Sequence, residues 1–192
     1  MHGAEARRFS GGGEWRRWLQ ENHDKLNEAW VVIQKAGSPS EGLRYEEAVD
    51  EAMCFGWIDG KMRRLDEHEF IQRFSPRRQR SIWSRRNRDR AERLIEEGRM
   101  TEAGLKAVME AKRNGRWEKA YTSREAPEMP DDLLKALEMS PEAHRNFMAF
   151  PNSARFMYIH YINEAKRAET RARRIRWVVQ RAEQDKRPGI DM

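Results

Sequence analysis

The chain has 192 residues, enough for one substantial core or for an α+β core carrying a helical extension. It is 38% hydrophobic and 36% charged, with seven Trp, seven Phe and ten Met to bury and a formal net charge of +6 that favours anionic partners. One cysteine, Cys54, excludes an intrachain disulfide, and no stretch approaches the roughly 20 apolar residues of a membrane-spanning helix.

In chain order, residues 1–13 read as a flexible arm, because Ser10-Gly11-Gly12-Gly13 offers the backbone nothing to pack. Trp15, Trp18 and Leu19 recur at helical spacing and predict a first helix from Glu14 to about Lys25. Ala29-Trp30-Val31-Val32-Ile33-Gln34 predicts a buried strand, broken by Gly37-Ser38-Pro39. A second helix spans Tyr45 to Phe55, with Ala48, Val49, Ala52 and Met53 inward and Gly56 as its stop. Trp57 to Leu65 and Phe70 to Ser75 flank Asp66-Glu67-His68-Glu69 and predict a β-hairpin.

From Pro76 the period becomes helical. Ser81 or Ser84 is placed to cap a helix with Ala91, Leu94 and Ile95 inward, and Thr101 to cap another with Leu105, Val108 and Met109 inward. Gly98 and Gly115 are each followed by Arg and a large apolar residue, the pattern of a left-handed glycine that reverses the chain. Pro127 and Pro130 mark 122–130 as a linker. Beyond it, Asp131 and Ser140-Pro141 open two helices, and Asn152 or Ser153 a third carrying Phe156, Met157, Ile159 and Tyr161. A basic last helix carries Ile175, Val178, Val179 and Ala182. The expected class is α+β: a small antiparallel sheet with a β-hairpin packed by helices, then a mostly helical C-terminal half. The expected organisation is an arm (1–13), an α+β domain (14–121), a linker (122–130), a helical module (131–185) and a flexible tail (186–192).

No P-loop, dinucleotide turn, His-Glu-x-x-His or paired cysteines are present, and the five histidines lack metal-ligand spacing, so no cofactor or metal is expected and catalytic residues are not identified. Cys54 lies in Ala52-Met53-Cys54-Phe55, where a cysteine behaves as a small hydrophobe rather than a nucleophile. The informative stretch is Phe55 to Gly60 with Gln72 to Ser84. Asp59 in a half-buried strand needs a donor, which Arg73, Arg77 or Arg78 would supply as a structural ion pair. In the competing reading Arg73, Arg77 and Arg78 converge with Ser81 and Ser84 on a small anion, Trp57 and Trp83 wall the site, and Asp59 orients an arginine. Nine arginines between Arg73 and Arg93 face only Asp89 and Glu92, and Arg171 to Arg181 repeats the bias, so a nucleic-acid partner is the alternative. Leftover exposed apolar residues would favour a homo-oligomer.

Glu51-Ala52-Met53-Cys54-Phe55-Gly56-Trp57-Ile58-Asp59-Gly60, Arg73-Phe74-Ser75-Pro76-Arg77-Arg78 and Ser81-Ile82-Trp83-Ser84 resemble the YdeI/OmpD-associated family. The likeness extends through Gly98-Arg99-Met100 and Gly115-Arg116-Trp117 to Glu169-Thr170-Arg171-Ala172-Arg173-Arg174-Ile175, covering about residues 14–182. The resemblance implies a link to bacteriocin or cationic antimicrobial peptide tolerance, with no established activity or catalytic set, so a non-enzymatic role is expected. The polar N-terminus lacks a secretory apolar run, which points to the cytoplasm, or to the periplasm only if a leader has been removed.

Overall fold

The computed structural model describes residues 6–79, 81–122 and 124–188. The chain divides after Ala120 into two compact units, each with its own buried core.

The first unit is built on β1 (Ala29–Gln34), β2 (Trp57–Arg64) and β3 (Glu69–Pro76), an antiparallel sheet in the order β1-β3-β2. Alternation along β1 places Ala29, Val31 and Ile33 against the helices, opposite Phe74, Gln72 and Phe70 of β3. The hairpin is closed by Asp66, whose Oδ1 accepts from the N–H groups of His68 and Glu69 at 2.7 Å, and its register slips between Asp59 and Met62. Behind the sheet lies α2 (Tyr45–Cys54), which packs on β1 and β2, on α1 (Gly12–Asn22), and on α3 (Arg85–Glu96) and α4 (Glu102–Arg113).

The arm expected at 1–13 is not loose where it is described. Arg7 donates its N–H to Trp30 O (2.8 Å) and accepts from Val32 N (2.9 Å), so the chain closes the free edge of β1. Phe9 is buried against Trp15, and α1 begins within the glycine run at Gly12. Residues 1–5 of that arm and 189–192 of the expected tail lie outside the described residues.

Ser84, not Ser81, caps α3, accepting from Asn87 N, and Thr101 caps α4. Gly98 (φ 66°) and Gly115 (φ 71°) end these helices as expected: Arg99 N donates to Leu94 O and Arg116 N to Ala111 O, each at 3.0 Å. The inward face of α4 differs from the sequence pattern. Leu105 and Met109 are exposed, and Gly104, Val108 and Ala111 are buried. The reason is close approach: a Cβ on Gly104 would lie 2.4 Å from Cys54 O, so only the small-residue face fits against the end of α2. Ile95 of α3 is likewise exposed at the rim.

The second unit packs α5 (Asp131–Glu138), α6 (Pro141–Ala149), α7 (Asn152–Asn163) and α8 (Ala168–Glu183) around Leu133, Leu137, Phe147, Tyr158, Ile162 and Val178. Ser140 caps α6 with Pro141 at its first position, as expected. Asp131 does not cap α5, which starts after Pro130 without a side-chain cap. On α7 the buried face is Tyr158, Ile159 and Ile162, while Phe156 stacks on Tyr121 at 4.2 Å instead of entering the core. Ile175, Val178 and Ala182 of α8 are buried as expected. No helix among the described residues is long and apolar enough to cross a membrane.

Candidate functional site

β3 ends where Arg77 N donates to Gly56 O (2.9 Å), tying the strand to the corner between α2 and β2. The chain then turns: Ser81 N donates to Arg78 O, and Ser81 Oγ accepts from Arg78 N at 3.0 Å. This turn delivers Trp83 to the core just ahead of α3. Between the turn, the α2–β2 corner, the end of α1 and one face of α4 lies a hollow of about 270 Å³. Phe55, Trp57, Pro76 and Trp83 form its apolar side, and Ala103, Ala107 and Ala111, at successive turns of α4, form another. Arg77, Arg78, Lys106 and His23 bring positive or titratable groups, and Glu110 the opposing charge.

Arg77 is the unusual member. Its guanidinium lies 3.9 Å from the centre of the Trp83 ring, and its Nη1 donates to Ile82 O at 3.1 Å. Nη2 is closed to water, and among the described residues no acceptor reaches it. Burial pushes the Arg77 pKa down from its ordinary value to about 10, with Asp59 opposing through space, so the group stays charged at neutral pH. A unit anion about 6 Å from such a cation gains roughly 3 kcal/mol at an effective dielectric of about 20. Trp83 is held from behind by Trp117, ring centres 4.9 Å apart.

The hollow opens into a trough of about 580 Å³ that shares His23, Phe55, Ala103 and Lys106 with it and continues along Arg16, Gln20, Thr101 and Glu102. His23 Nδ1 donates to Leu19 O at 2.9 Å, and its backbone carbonyl accepts from Trp57 Nε1 at 3.1 Å.

Of the residues singled out in the sequence, Trp57, Arg77, Arg78 and Trp83 come together around the hollow. Arg73 does not: it sits opposite Trp30 in the sheet register and its Nε donates to Glu28 at 2.7 Å. Ser81 and Ser84 are occupied by the turn and the helix cap. Among the described residues Asp59 accepts from the Tyr45 hydroxyl at 2.8 Å and not from an arginine, and burial beside that carboxylate raises the Tyr45 pKa. Cys54 is fully buried, with its thiol pKa pushed up by burial, so it is no ready nucleophile. No cluster of three or more metal-ligating side chains occurs among the described residues.

His23, Lys106 and the alanine side of α4 were missed. A trace of the last was legible, since Ala103, Ala107 and Ala111 are spaced by four, but the larger Leu105 and Met109 dominated the apolar pattern.

The arginine run is largely neutralised by α2 and its neighbours. Arg86 and Arg90 share Glu46, Arg90 and Arg93 meet Asp50, and Arg93 also holds Glu97. Arg80 lies outside the described residues.

Residues 7–107, more than half of the chain, match the family described as "Domain of unknown function (DUF8412)". The chain belongs to that family. Residues 126–185 match the family described as "Bacteriocin-protection, YdeI or OmpD-Associated", so the YdeI/OmpD-associated domain occupies the C-terminal part. The resemblance read over residues 14–182 is matched there, whereas the motifs of residues 51–84 fall within the DUF8412 part. No curated protein and no solved structure matches the chain significantly.

Proposed function

We propose that the N-terminal unit of this DUF8412 protein is a binding domain for a small anion, taken up in the hollow beside Arg77. The observation that carries this reading is Arg77 itself: a charged, half-buried arginine bordering a cavity, its Nη2 closed to water and, among the described residues, no carboxylate hydrogen-bonded to it. A bound anion would supply the counter-charge, aided by Arg78 and Lys106 at the mouth. The role is one of capture, not catalysis, because Cys54 is not among the walls of the hollow and its thiol is held protonated by burial. A contribution to bacteriocin tolerance is the role suggested by the description of the family matched at residues 126–185. The net charge of +6 favours an anionic target over direct capture of a cationic peptide.

The test is a calorimetric titration of the full chain with inorganic phosphate and sulfate, alongside Arg77→Met. Saturable binding that drops at least tenfold in the variant is the expected result. No binding to the parent, or equal binding to both proteins, would overturn the reading.

A further inference from the structure

Resting on that anion-binding reading, we infer that the hollow selects a planar aromatic monoacid of one or two fused rings rather than an inorganic anion. A Cβ on Gly56 would lie 2.8 Å from Ala103 O, and one on Gly104 would lie 2.4 Å from Cys54 O, so the α2–β2 corner and α4 are held at backbone contact. That approach fixes the separation between the aromatic side (Phe55, Trp57, Trp83) and the alanine side (Ala103, Ala107). A lining that joins three aromatic residues with alanines at every fourth helical position suits a flat apolar ligand. Its volume of about 270 Å³ exceeds the roughly 150 Å³ cavity that holds a single benzene ring.

Charge around the hollow is mixed, so a second negative group placed beside Glu110 would be repelled. Glu110 lines the same hollow as Arg77, Arg78 and Lys106, and Glu102 lines the adjoining trough. A second anionic group on the ring would lie among these carboxylates, whereas a neutral substituent could pass His23 and Lys106 into the trough. Inorganic phosphate would leave the ring-facing and alanine surfaces wet.

Calorimetry of the full chain with 2-naphthoate and with inorganic phosphate, repeated on Ala107→Leu, tests this. The expected result is naphthoate binding at least tenfold tighter than phosphate. An induced circular-dichroism band from the naphthyl ring should accompany it, and Ala107→Leu should lose naphthoate while keeping phosphate. If Ala107→Leu unfolds, the smaller Ala107→Val takes its place, and the induced band on the parent still reports ring insertion. Phosphate binding as tight as naphthoate, with no induced band, would end the aromatic-acid inference and leave the anion site standing. Binding of neither would end both.

Discussion

At Arg77 the half-buried guanidinium rests on one indole face and donates Nη1 to one carbonyl, with Nη2 closed to water. A pKa lowered from the ordinary arginine value to about 10 means the charged form is disfavoured in the folded protein by roughly 3 kcal/mol. The sign follows directly. At neutral pH the group is protonated in both folded and unfolded chains, so the whole penalty is present, and it is relieved only as pH rises past about 10. Arg77→Met keeps the stem over Trp83 and removes the buried charge together with its bond to Ile82 O and its cation–π contact, so gain and loss offset and stability in urea should change by no more than about 1 kcal/mol. A loss above about 3 kcal/mol would identify Arg77 as a structural strut. Glu69 is the opposite case. Arg8 donates Nη2 to its Oε2 at 2.7 Å and Gln34 donates to Oε1 at 2.6 Å, and the hydrogen bond from Arg8 is the main cause holding the carboxyl below its ordinary 4.5. A depressed carboxyl contributes stability that is full above that ordinary value and is lost as pH falls through the lower folded value. Glu69→Gln should therefore flatten the acid limb of the stability–pH curve while leaving its neutral plateau nearly parallel to the parent. An unchanged acid limb would show that the Arg8–Glu69 pair contributes nothing measurable.

Among the elements, α4 decides the shape of the hollow. Its small-residue face lies on the end of α2, where Cys54 O accepts from Thr101 N (3.1 Å) and Thr101 Oγ1 (2.6 Å) as well as crowding Gly104. Gly104→Ala forces backbone against backbone and should cost about 2–3 kcal/mol by urea denaturation, more than the roughly 1 kcal/mol typical of losing a helix cap such as Ser84. A cost under 1 kcal/mol would show that α4 can shift, and the slot with it. The same helix marks the limit of periodicity as a guide. β1 was legible to the residue, because a short β-branched run between turn signals allows little else. The hairpin and both glycine-ended helices were legible for similar local reasons. On α4, Leu105 and Met109 outweighed Gly104 and Ala107 in the pattern, although close helix contact excludes large side chains.

Across the whole molecule, charge is distributed differently from its linear order. Arg86, Arg90 and Arg93 of α3 meet Glu46 and Asp50 of α2, and Arg16 and Arg99 meet Glu51, which is nearly buried. A duplex would have to displace these internal partners before its phosphates could be neutralised. Retention on a duplex oligonucleotide at 50 mM salt should therefore be weak and should change little in Arg86→Ala. Tight retention that collapses between 50 and 200 mM salt, and weakens in that variant, would favour a nucleic-acid role. The α+β class, the strands, the caps at Thr101 and Ser140 and the helical C-terminal half were determined by the sequence by itself, because each follows from neighbours a few positions apart. That Arg77, among the described residues, has no carboxylate hydrogen-bonded to it, and which face of α4 meets a hollow, were decided only by tertiary structure. Ion pairing and burial depend on residues tens of positions away, as with Arg86 and Glu46, and no local period records them.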